Sequence, residues 1–134
     1  MRATTMLILG CLLLPAGAAR ADACKSDATQ RDLDECAARD FEQADSALNG
    51  TYRKIMDRLH DDAEARKLLV AAQKAWLGFR DAECAFDASG TRGGTIHPML
   101  VAGCRAQLTR DRTKVLQGDL TCQEGDTSCP VPPQ

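Results

Sequence analysis

The residues best suited to chemistry in this chain are its cysteines, and their spacing favours a structural role. The sequence contains seven cysteines. Cys11 lies in an apolar leader, which leaves an even set of Cys24, Cys36, Cys84, Cys104, Cys122 and Cys129. An even number in a small exported chain predicts disulfides formed in an oxidising compartment. No Cys-x-x-Cys sequence is present, so redox catalysis and zinc binding have little support.

The remaining ionisable side chains do not form a recognisable catalytic set. Carboxylates such as Asp32, Asp34 and Asp40 are spread along predicted helices in a pattern typical of solvated faces. The two histidines, His60 and His97, fall near predicted helix ends, and nothing in the spacing indicates that they converge with carboxylates on a metal. We therefore expect no metal, no cofactor and no enzymatic activity.

A polar cluster is predicted around the middle of the chain, in the stretch from Gln73 to Cys84. We expect Trp76 and Phe79 to fill the core there. The polar residues on otherwise apolar helix faces are Asp45, Asn49, Gln73, Arg80, Asp81 and Arg112. We interpret them as a hydrogen-bonded belt that fixes helix register, in which Arg80 pairs with a helix-one carboxylate such as Asp45. The alternative is a patch that faces a ligand.

The glycine-rich segment 89–95 is the better candidate for binding. Its residues able to contact a partner through side chain or backbone are Ser89, Thr91, Arg92, Gly93, Gly94 and Thr95. Glycines let a backbone approach a partner closely, and a loop held at both ends loses less entropy on binding. The alternative is an ordinary connector between two helices.

Three amphipathic helices are expected to position these residues. Helix one is predicted over residues 30–60, with a capping box formed by Thr29 and Asp32. Helix two is predicted over 63–88, antiparallel to helix one because the connection is short. Helix three is predicted over 96–117, capped by Thr95 and ended by Gly118. The apolar stripe of helix one recurs at steps of three and four and comprises Leu33, Ala37, Phe41, Ala44, Leu48, Tyr52, Ile55 and Leu59.

The inward faces of the other two helices follow the same rule. That of helix two is expected to be Leu68 or Leu69, Ala72, Trp76, Phe79, Glu83 or Cys84, and Phe86. That of helix three is expected to be Leu100 or Val101, Cys104, Leu108, Asp111 or Arg112, and Val115. The fold class is therefore all-α, a small antiparallel three-helix bundle stapled by disulfides, with a short disulfide-closed C-terminal tail.

Spacing alone does not select the disulfide pairs, but the predicted helices favour one arrangement. Cys84 with Cys104 would bridge helices two and three beneath the glycine loop. Cys24 with Cys36 would pin the lead-in to helix one, and Cys122 with Cys129 would close the tail. The resulting division is a signal peptide at 1–21, a helical domain at 22–118 and a tail at 119–134.

The leader indicates export. Arg2 precedes an apolar run at 6–15, and Ala19-Arg20-Ala21 fits the signal peptidase pattern. Cleavage after Ala23 is the close alternative, and a lipoprotein signal ending at Cys11 is a weaker one. The run is too short for a stable membrane-spanning helix, so no stable membrane insertion is expected after cleavage. We expect a periplasmic or secreted protein.

The charge of the mature chain restricts the partners that it can bind. Removal of Arg2 and Arg20 leaves 15 basic against 19 acidic residues, a net charge of −4. This balance argues against nucleic acid, whose phosphates need a basic face. It is compatible with a basic protein partner drawn in by electrostatic attraction.

Two motifs together resemble a known family. They are Leu-Asn-x-x-Tyr at 48–52 and Gln-x-x-Trp-x-x-x-Arg-Asp-x-x-Cys at 73–84. With the lead-in Glu35-Cys36-Ala37, the glycine loop, Cys104 and the Cys122–Cys129 tail, they are similar to the LprI-like domain of exported bacterial proteins. The resemblance covers essentially the whole mature chain.

The resemblance implies a small helical domain of the bacterial envelope that inhibits lysozyme without catalysing a reaction. The expected partner is then a protein, lysozyme. One alternative is an envelope structural or interaction module with a different secreted protein as partner. Another is a saposin-like lipid binder, which would need a continuous apolar lining.

Overall fold

The computed structural model describes residues 28–133, and within them the chain is helical with no strand. Helix α1 spans Gln30–Arg58, α2 spans Ala63–Asp87 and α3 spans His97–Asp119, with a short 3-10 turn at Ser89–Thr91. The predicted all-α class is therefore confirmed. The predicted signal peptide at 1–21 and Cys24 lie outside the described residues, so the leader and the Cys24–Cys36 pair stay predictions.

The three helices form an up-down-up bundle. Arg110 near the middle of α3 pairs with Asp40 in the first half of α1 at 2.9 Å, and Arg58 at the end of α1 donates to the Leu120 carbonyl after the end of α3 at 2.8 Å. These two contacts set α1 and α3 parallel. Helix α2 runs in the opposite direction, because Leu69 in its first half packs on the cluster at the end of α1, while Arg80 in its second half lies beside Asp45 near the middle of α1.

Helix α1 begins where the sequence predicts. The Thr29 hydroxyl accepts from the Asp32 amide at 3.3 Å, while the Asp32 carboxylate accepts from the Thr29 amide at 2.9 Å. This reciprocal pair is the expected capping box, with aspartate in place of the more usual glutamate. Two donors that helix formation leaves open are satisfied in this way.

The closest helix pair is α1 with α3, and small residues make that approach possible. Along α1 the buried residues are Ala44, Leu48, Thr51 and Ile55. Along α3 they are Ala106, Thr109, Thr113 and Leu116. Threonine hydroxyls are tolerated in this interface because they bond within their own helices, Thr51 to the Ala47 carbonyl at 3.1 Å and Thr113 to the Thr109 carbonyl at 2.8 Å.

This interface corrects the expected inward face of α3. Val115 was expected inside but is exposed, and of the alternatives Leu100 and Val101 only Val101 is half-buried. Ala106 and Thr109, which were not expected, are buried. A pattern search for large apolar residues misses this face, because close helix packing selects small side chains. The start of α3 is also corrected, since its N-cap is Ile96 with no side-chain cap, and Thr95 stays in the loop. The helix runs past the expected stop at Gly118 to Asp119.

The apolar core lies at the end of the bundle where the tail returns. Its buried members are Leu48, Ile55, Leu59, Leu116 and Val131. Tyr52, Leu69 and Trp76 are partly buried and pack against this cluster. The tail therefore contributes a core residue, Val131, in addition to the disulfide between Cys122 and Cys129. That disulfide agrees with the pairing expected from the sequence.

Helix α2 turns only part of the expected row inward, since Leu69, Trp76 and Cys84 face the bundle and Ala72 does not. Its inner row runs through Ala65, Leu69, Gln73, Trp76, Arg80 and Cys84, each half-buried or buried. Phe79 was expected in the core and is instead 54% exposed. Phe86 was also expected inside and is 73% exposed. The bundle thus packs on the face that carries Trp76 and Arg80, and it leaves a second apolar face of α2 in solvent.

Candidate functional site

The glycine loop at 89–95 is held at its base by hydrogen bonds between its own residues and the neighbouring helices. The Thr91 hydroxyl donates to the Ala88 carbonyl at 2.8 Å and lies 3.0 Å from Nδ1 of His97. The same Nδ1 lies 3.2 Å from the Ala88 carbonyl. All three contacts are hydrogen bonds if Nδ1 of His97 carries the imidazole proton. The Thr91 hydroxyl then donates to the Ala88 carbonyl and accepts from Nδ1.

Two glycines shape the outer part of the loop. Gly93 has a φ of +77°, a left-handed conformation that favours glycine over other residues. The Gly94 amide donates to the Thr91 carbonyl at 2.9 Å, and a Cβ on Gly94 would lie 3.1 Å from that oxygen. The tight turn that returns the chain to α3 therefore depends on glycine at both positions.

A disulfide joins the two helices that flank the loop. It links Cys84 near the end of α2 to Cys104 in the second turn of α3, with a Cα–Cα distance of 5.6 Å. This is the pair expected from the sequence. Cys84 is fully buried, and Ala88, where the loop begins, is buried as well. The loop is consequently anchored from below while its tip faces solvent.

The structure separates the predicted binding residues into two groups. Ser89 and Thr91 are half-buried, and the hydroxyl of Thr91 is used internally. Arg92, Gly93, Gly94 and Thr95 are exposed. Across residues 28–133, Arg92 has no hydrogen bond and no ion pair with another described residue. The exposed half of the loop therefore presents a free guanidinium next to accessible backbone.

The predicted polar cluster forms around Arg80, on the opposite side of Cys84 from the loop. Nε of Arg80 lies 3.0 Å from Oδ1 of Asp81, and Nη1 lies 3.4 Å from Oδ1 of Asp45. The pairing with Asp45 is the one expected from the sequence. Nη1 also lies 3.4 Å from the Thr109 hydroxyl, which ties α3 into the same group.

The other predicted members lie around this group. Asn49 donates to Asp45 at 2.8 Å, one turn along α1. Arg112 donates to Gln73 at 3.2 Å and forms a separate link between α3 and α2. Except for Asn49, which bonds only within α1, each of these side chains bonds to a residue of another helix, which supports the interpretation of the cluster as a register-fixing belt.

Sequence reasoning missed three participants in the cluster. Phe41 places its ring centroid 5.1 Å from Cζ of Arg80. Thr109 accepts from Arg80, and Arg105 lies 3.2 Å from Asp81. The signal for Phe41 was present, because Phe41 and Asp45 are four residues apart and share a helix face. Thr109 shares a helix face with Arg112, three residues on, but its contact with Arg80 depends on how α3 packs.

Two further properties of the described residues bear on chemistry. Across residues 28–133, no group of three or more His, Cys, Asp or Glu side chains is arranged to hold a metal ion. Among the helices described, none has both the length and the apolar content that crossing a membrane requires.

Comparison with known proteins identifies the family. The family model described as lysozyme inhibitor LprI matches residues 21–116. The chain belongs to the LprI family. Both the Arg80 cluster and the glycine loop with its disulfide fall inside the matched region. The LprI resemblance noted in the sequence is thereby confirmed.

A relative and the known structures add context to the LprI assignment. The chain is 38% identical over 127 residues to a protein of Rhizobium meliloti (strain 1021) that is described as uncharacterized. That alignment covers 86% of this chain and 91% of the relative. No solved structure matches the chain.

Proposed function

We propose that this protein is an exported, non-enzymatic inhibitor of lysozyme that binds through the exposed half of the glycine loop. Membership in the LprI family supports an inhibitor of this kind. The predicted leader at 1–21 supports action outside the cytoplasm, in the periplasm or beyond it. The observation that carries the choice of site is Arg92, an exposed guanidinium without a partner among residues 28–133, on a loop anchored by the Cys84–Cys104 disulfide.

The chemistry of the target matches such a group. Glycoside hydrolases of the lysozyme type cut between two carboxylates that flank the scissile bond in a cleft. A guanidinium inserted there satisfies carboxylate oxygens with paired N–H donors, which a lysine cannot reproduce in the same geometry. The backbone at Gly93 and Gly94 carries no side chain, so the turn can enter a narrow cleft. Inhibition then results from occupancy of the cleft and needs no covalent step.

Rigidity of the loop contributes to affinity. The Thr91–His97–Ala88 contacts and the disulfide fix the loop before it meets a partner, so little conformational entropy is lost on binding. The net charge of −4 predicted for the mature chain would attract a basic enzyme surface and accelerate encounter. That attraction should weaken as salt is added.

The test compares two exposed arginines in a lysozyme inhibition assay. Purified mature protein should slow lysis of cell walls by lysozyme. Arg92→Ala should weaken inhibition roughly 30-fold or more, which is what loss of a desolvated charge pair costs an interface. Arg53→Ala is the matched control, because Arg53 is exposed on α1 with no ion pair or hydrogen bond within residues 28–133. Both variants should unfold at the wild-type temperature.

Two results would count against the proposal in different ways. If several lysozyme types are unaffected by micromolar protein, the inhibitor function is wrong and an interaction module with another secreted partner takes its place. If lysozyme is inhibited but Arg92→Ala and Arg53→Ala behave alike, the function stands and the loop is not the contact.

A further inference from the structure

The outer face of α2 is an apolar surface with no covering element among residues 28–133. We define it by Leu68, Ala71, Ala72, Ala75, Gly78, Phe79, Ala82, Ala85 and Phe86, all of which are exposed. At 100° per residue these positions fall within one arc of the helix, and no charged residue lies inside it between Leu68 and Phe86. A helix that is apolar on both its faces is normally buried on both. Here only the face with Trp76 and Arg80 packs on the bundle.

Gly78 fits the approach of another helix to this face. Glycine in the middle of a helix lowers helix stability relative to alanine. Nothing within the described chain requires it, since a Cβ at Gly78 would meet no atom within 4 Å and its φ is not positive. Gly78 lies midway along the outer face and at its edge, where a residue without a side chain lets a second backbone approach.

The spacing of the large residues identifies what kind of helix fits. The seam of the outer face runs Leu68, Ala72, Ala75, Phe79, Ala82, Phe86, in steps of four and three. This is the heptad spacing of a helix pair. Two copies of the seam can be placed antiparallel with their midpoints, between Ala75 and Phe79, side by side, and each large residue then lies in a layer with a complementary one.

The layers of that antiparallel pair are mutually consistent. Phe86 of one copy lies beside Leu68 of the second copy, Phe79 beside Ala75, and Ala72 beside Ala82. The flanking positions Ala71, Gly78 and Ala85 are all small, so the two backbones can approach closely. Because the arrangement has two-fold symmetry, every favourable layer occurs twice, as in an isologous interface. A parallel pairing would instead stack Phe79 on Phe79 and leave Ala75 opposite Ala75.

We propose that the outer face of α2 binds a second copy of this chain, in an antiparallel α2–α2 pair. Phe86 is 73%, Leu68 62% and Phe79 54% exposed. At about 200 Å² for a whole aromatic side chain, the two rings alone expose roughly 250 Å² per copy. With Leu68 and the alanines, the pair buries on the order of 1,000 Å² in total, the lower range of specific interfaces. The expected product is a reversible dimer that forms at micromolar concentrations or above.

Sedimentation as a function of concentration tests this directly, with no other protein present. The mature wild-type chain should shift from monomer toward dimer as concentration rises to about 1 mM. The double variant Phe79→Glu/Phe86→Glu should remain monomeric over the same range. Val115→Glu is the matched control, because Val115 is a 56% exposed apolar residue on α3, outside the outer face. It should dimerise as the wild type does.

Gly78→Leu separates dimerisation from folding. Leucine favours helix more than glycine does, so the monomer should become more stable to urea, while the bulk at the centre of the pair should lower dimer affinity at least tenfold. If Gly78 served only the fold of the monomer, the substitution would not raise monomer stability and lower dimer affinity together. A wild-type chain that stays monomeric overturns the proposal and leaves the outer face to a different partner. A dimer that survives both the Phe79/Phe86 and the Gly78 variants overturns it as well.

Discussion

The Arg80 guanidinium lies near the face of Trp76, one helical turn away on α2, with Cζ 5.3 Å from the ring centroid. Phe41 of α1 contributes a second ring at 5.1 Å from the same carbon. Arg80 is only 7% exposed, so its charge is balanced by Asp45 and Asp81 and by the faces of these rings. The backbones of α1 and α2 approach each other less closely than those of α1 and α3. Arg80 therefore links α2 to α1 beside the apolar contacts that Leu69 and Trp76 make with the core.

Replacement of Arg80 should destabilise the bundle. Arg80→Ala removes the stem packing and leaves Asp45 without its cation, while Asp81 keeps Arg105, and we expect the free energy of unfolding to fall by about 2–3 kcal/mol. Arg80→Lys keeps the charge but loses the planar group that contacts both rings, so it should lie between Ala and wild type. Urea denaturation followed by circular dichroism measures both. Arg92→Ala should change the same quantity by less than about 0.5 kcal/mol. Equal midpoints for Arg80→Ala and wild type would contradict this account.

Enlargement of a small residue between α1 and α3 should also be costly. Ala106 is fully buried where the two helices are closest. Ala106→Leu forces them apart, and we expect a loss of about 1–3 kcal/mol in the free energy of unfolding. Ala38→Leu on the exposed side of α1 provides the control and should be close to neutral. If the buried substitution is as well tolerated as the exposed one, the close approach of α1 and α3 is wrong.

The capping box at the start of α1 should make stability depend on acid pH. Hydrogen bonds from the side chain and then the backbone of Thr29 hold the pKa of Asp32 below its ordinary value of 3.8. The folded state therefore binds this proton less readily than the unfolded state. The stabilisation is fully present above pH 3.8 and is lost as the pH falls through the lower pKa of the folded state. Asp32→Asn should unfold more easily than wild type at neutral pH, and the difference should shrink toward pH 2. A difference that is constant with pH would rule out this origin.

The Cys84–Cys104 disulfide should stabilise the fold more than the tail disulfide does. The pairs are separated by 20 and 7 residues respectively. A longer closed loop restricts the unfolded chain more, so Cys84→Ala/Cys104→Ala should cost about 3 kcal/mol and Cys122→Ala/Cys129→Ala about 2 kcal/mol. Thermal unfolding of the two double variants measures the difference. The Cys84→Ala/Cys104→Ala variant should also inhibit lysozyme less than its loss of folded protein explains, because the disulfide no longer holds the loop. If the folded fraction of this variant inhibits lysozyme as strongly as the wild type does, the disulfide does not preorganise the loop.

Much of the fold follows from the sequence because α1 has an unambiguous apolar stripe. The caps at Thr29, the polar break before Ala63 and the glycines after Asp87 delimit the helices to within a few residues. The inward face of α3 could not be predicted in the same way. Ala106, Thr109 and Thr113 carry little apolar surface, and only their position opposite Ala44 and Thr51 makes them core residues.

Hydrophobic periodicity alone does not determine which face of α2 packs against the bundle. Its sequence has two apolar arcs, one through Leu69 and Trp76 and the other through Leu68 and Phe79. Both have helical spacing, and the larger hydrophobic residues favour the second. The arc through Leu69 and Trp76 is the buried one because Arg80 lies on it and contacts Asp45 of α1 and Thr109 of α3. Polar partners on neighbouring helices, which a single-helix pattern does not reveal, determine the choice.

The glycine loop is likewise only partly predictable from the sequence. Its glycine content predicts an irregular connection, and the positions of Cys84 and Cys104 suggest the bridge beneath it. The bond network of Thr91, His97 and the Ala88 carbonyl depends on the turn geometry, so the sequence could not indicate that Thr91 is occupied while Arg92 is free. The exposed half of the candidate site became distinguishable only with the structure.

Val131 belongs to the same buried cluster as Leu48 and Ile55, although more than half of the described chain lies between them. Helix α3, which forms the closest pair with α1, likewise follows all of α2. A chain that emerges gradually, from a ribosome or through a membrane pore, therefore cannot close its core until its last described segment is free. Until then the part of the α1 stripe that packs on α3 and on the tail has no partner. The order of the elements therefore delays closure of the core until nearly the whole described chain has emerged.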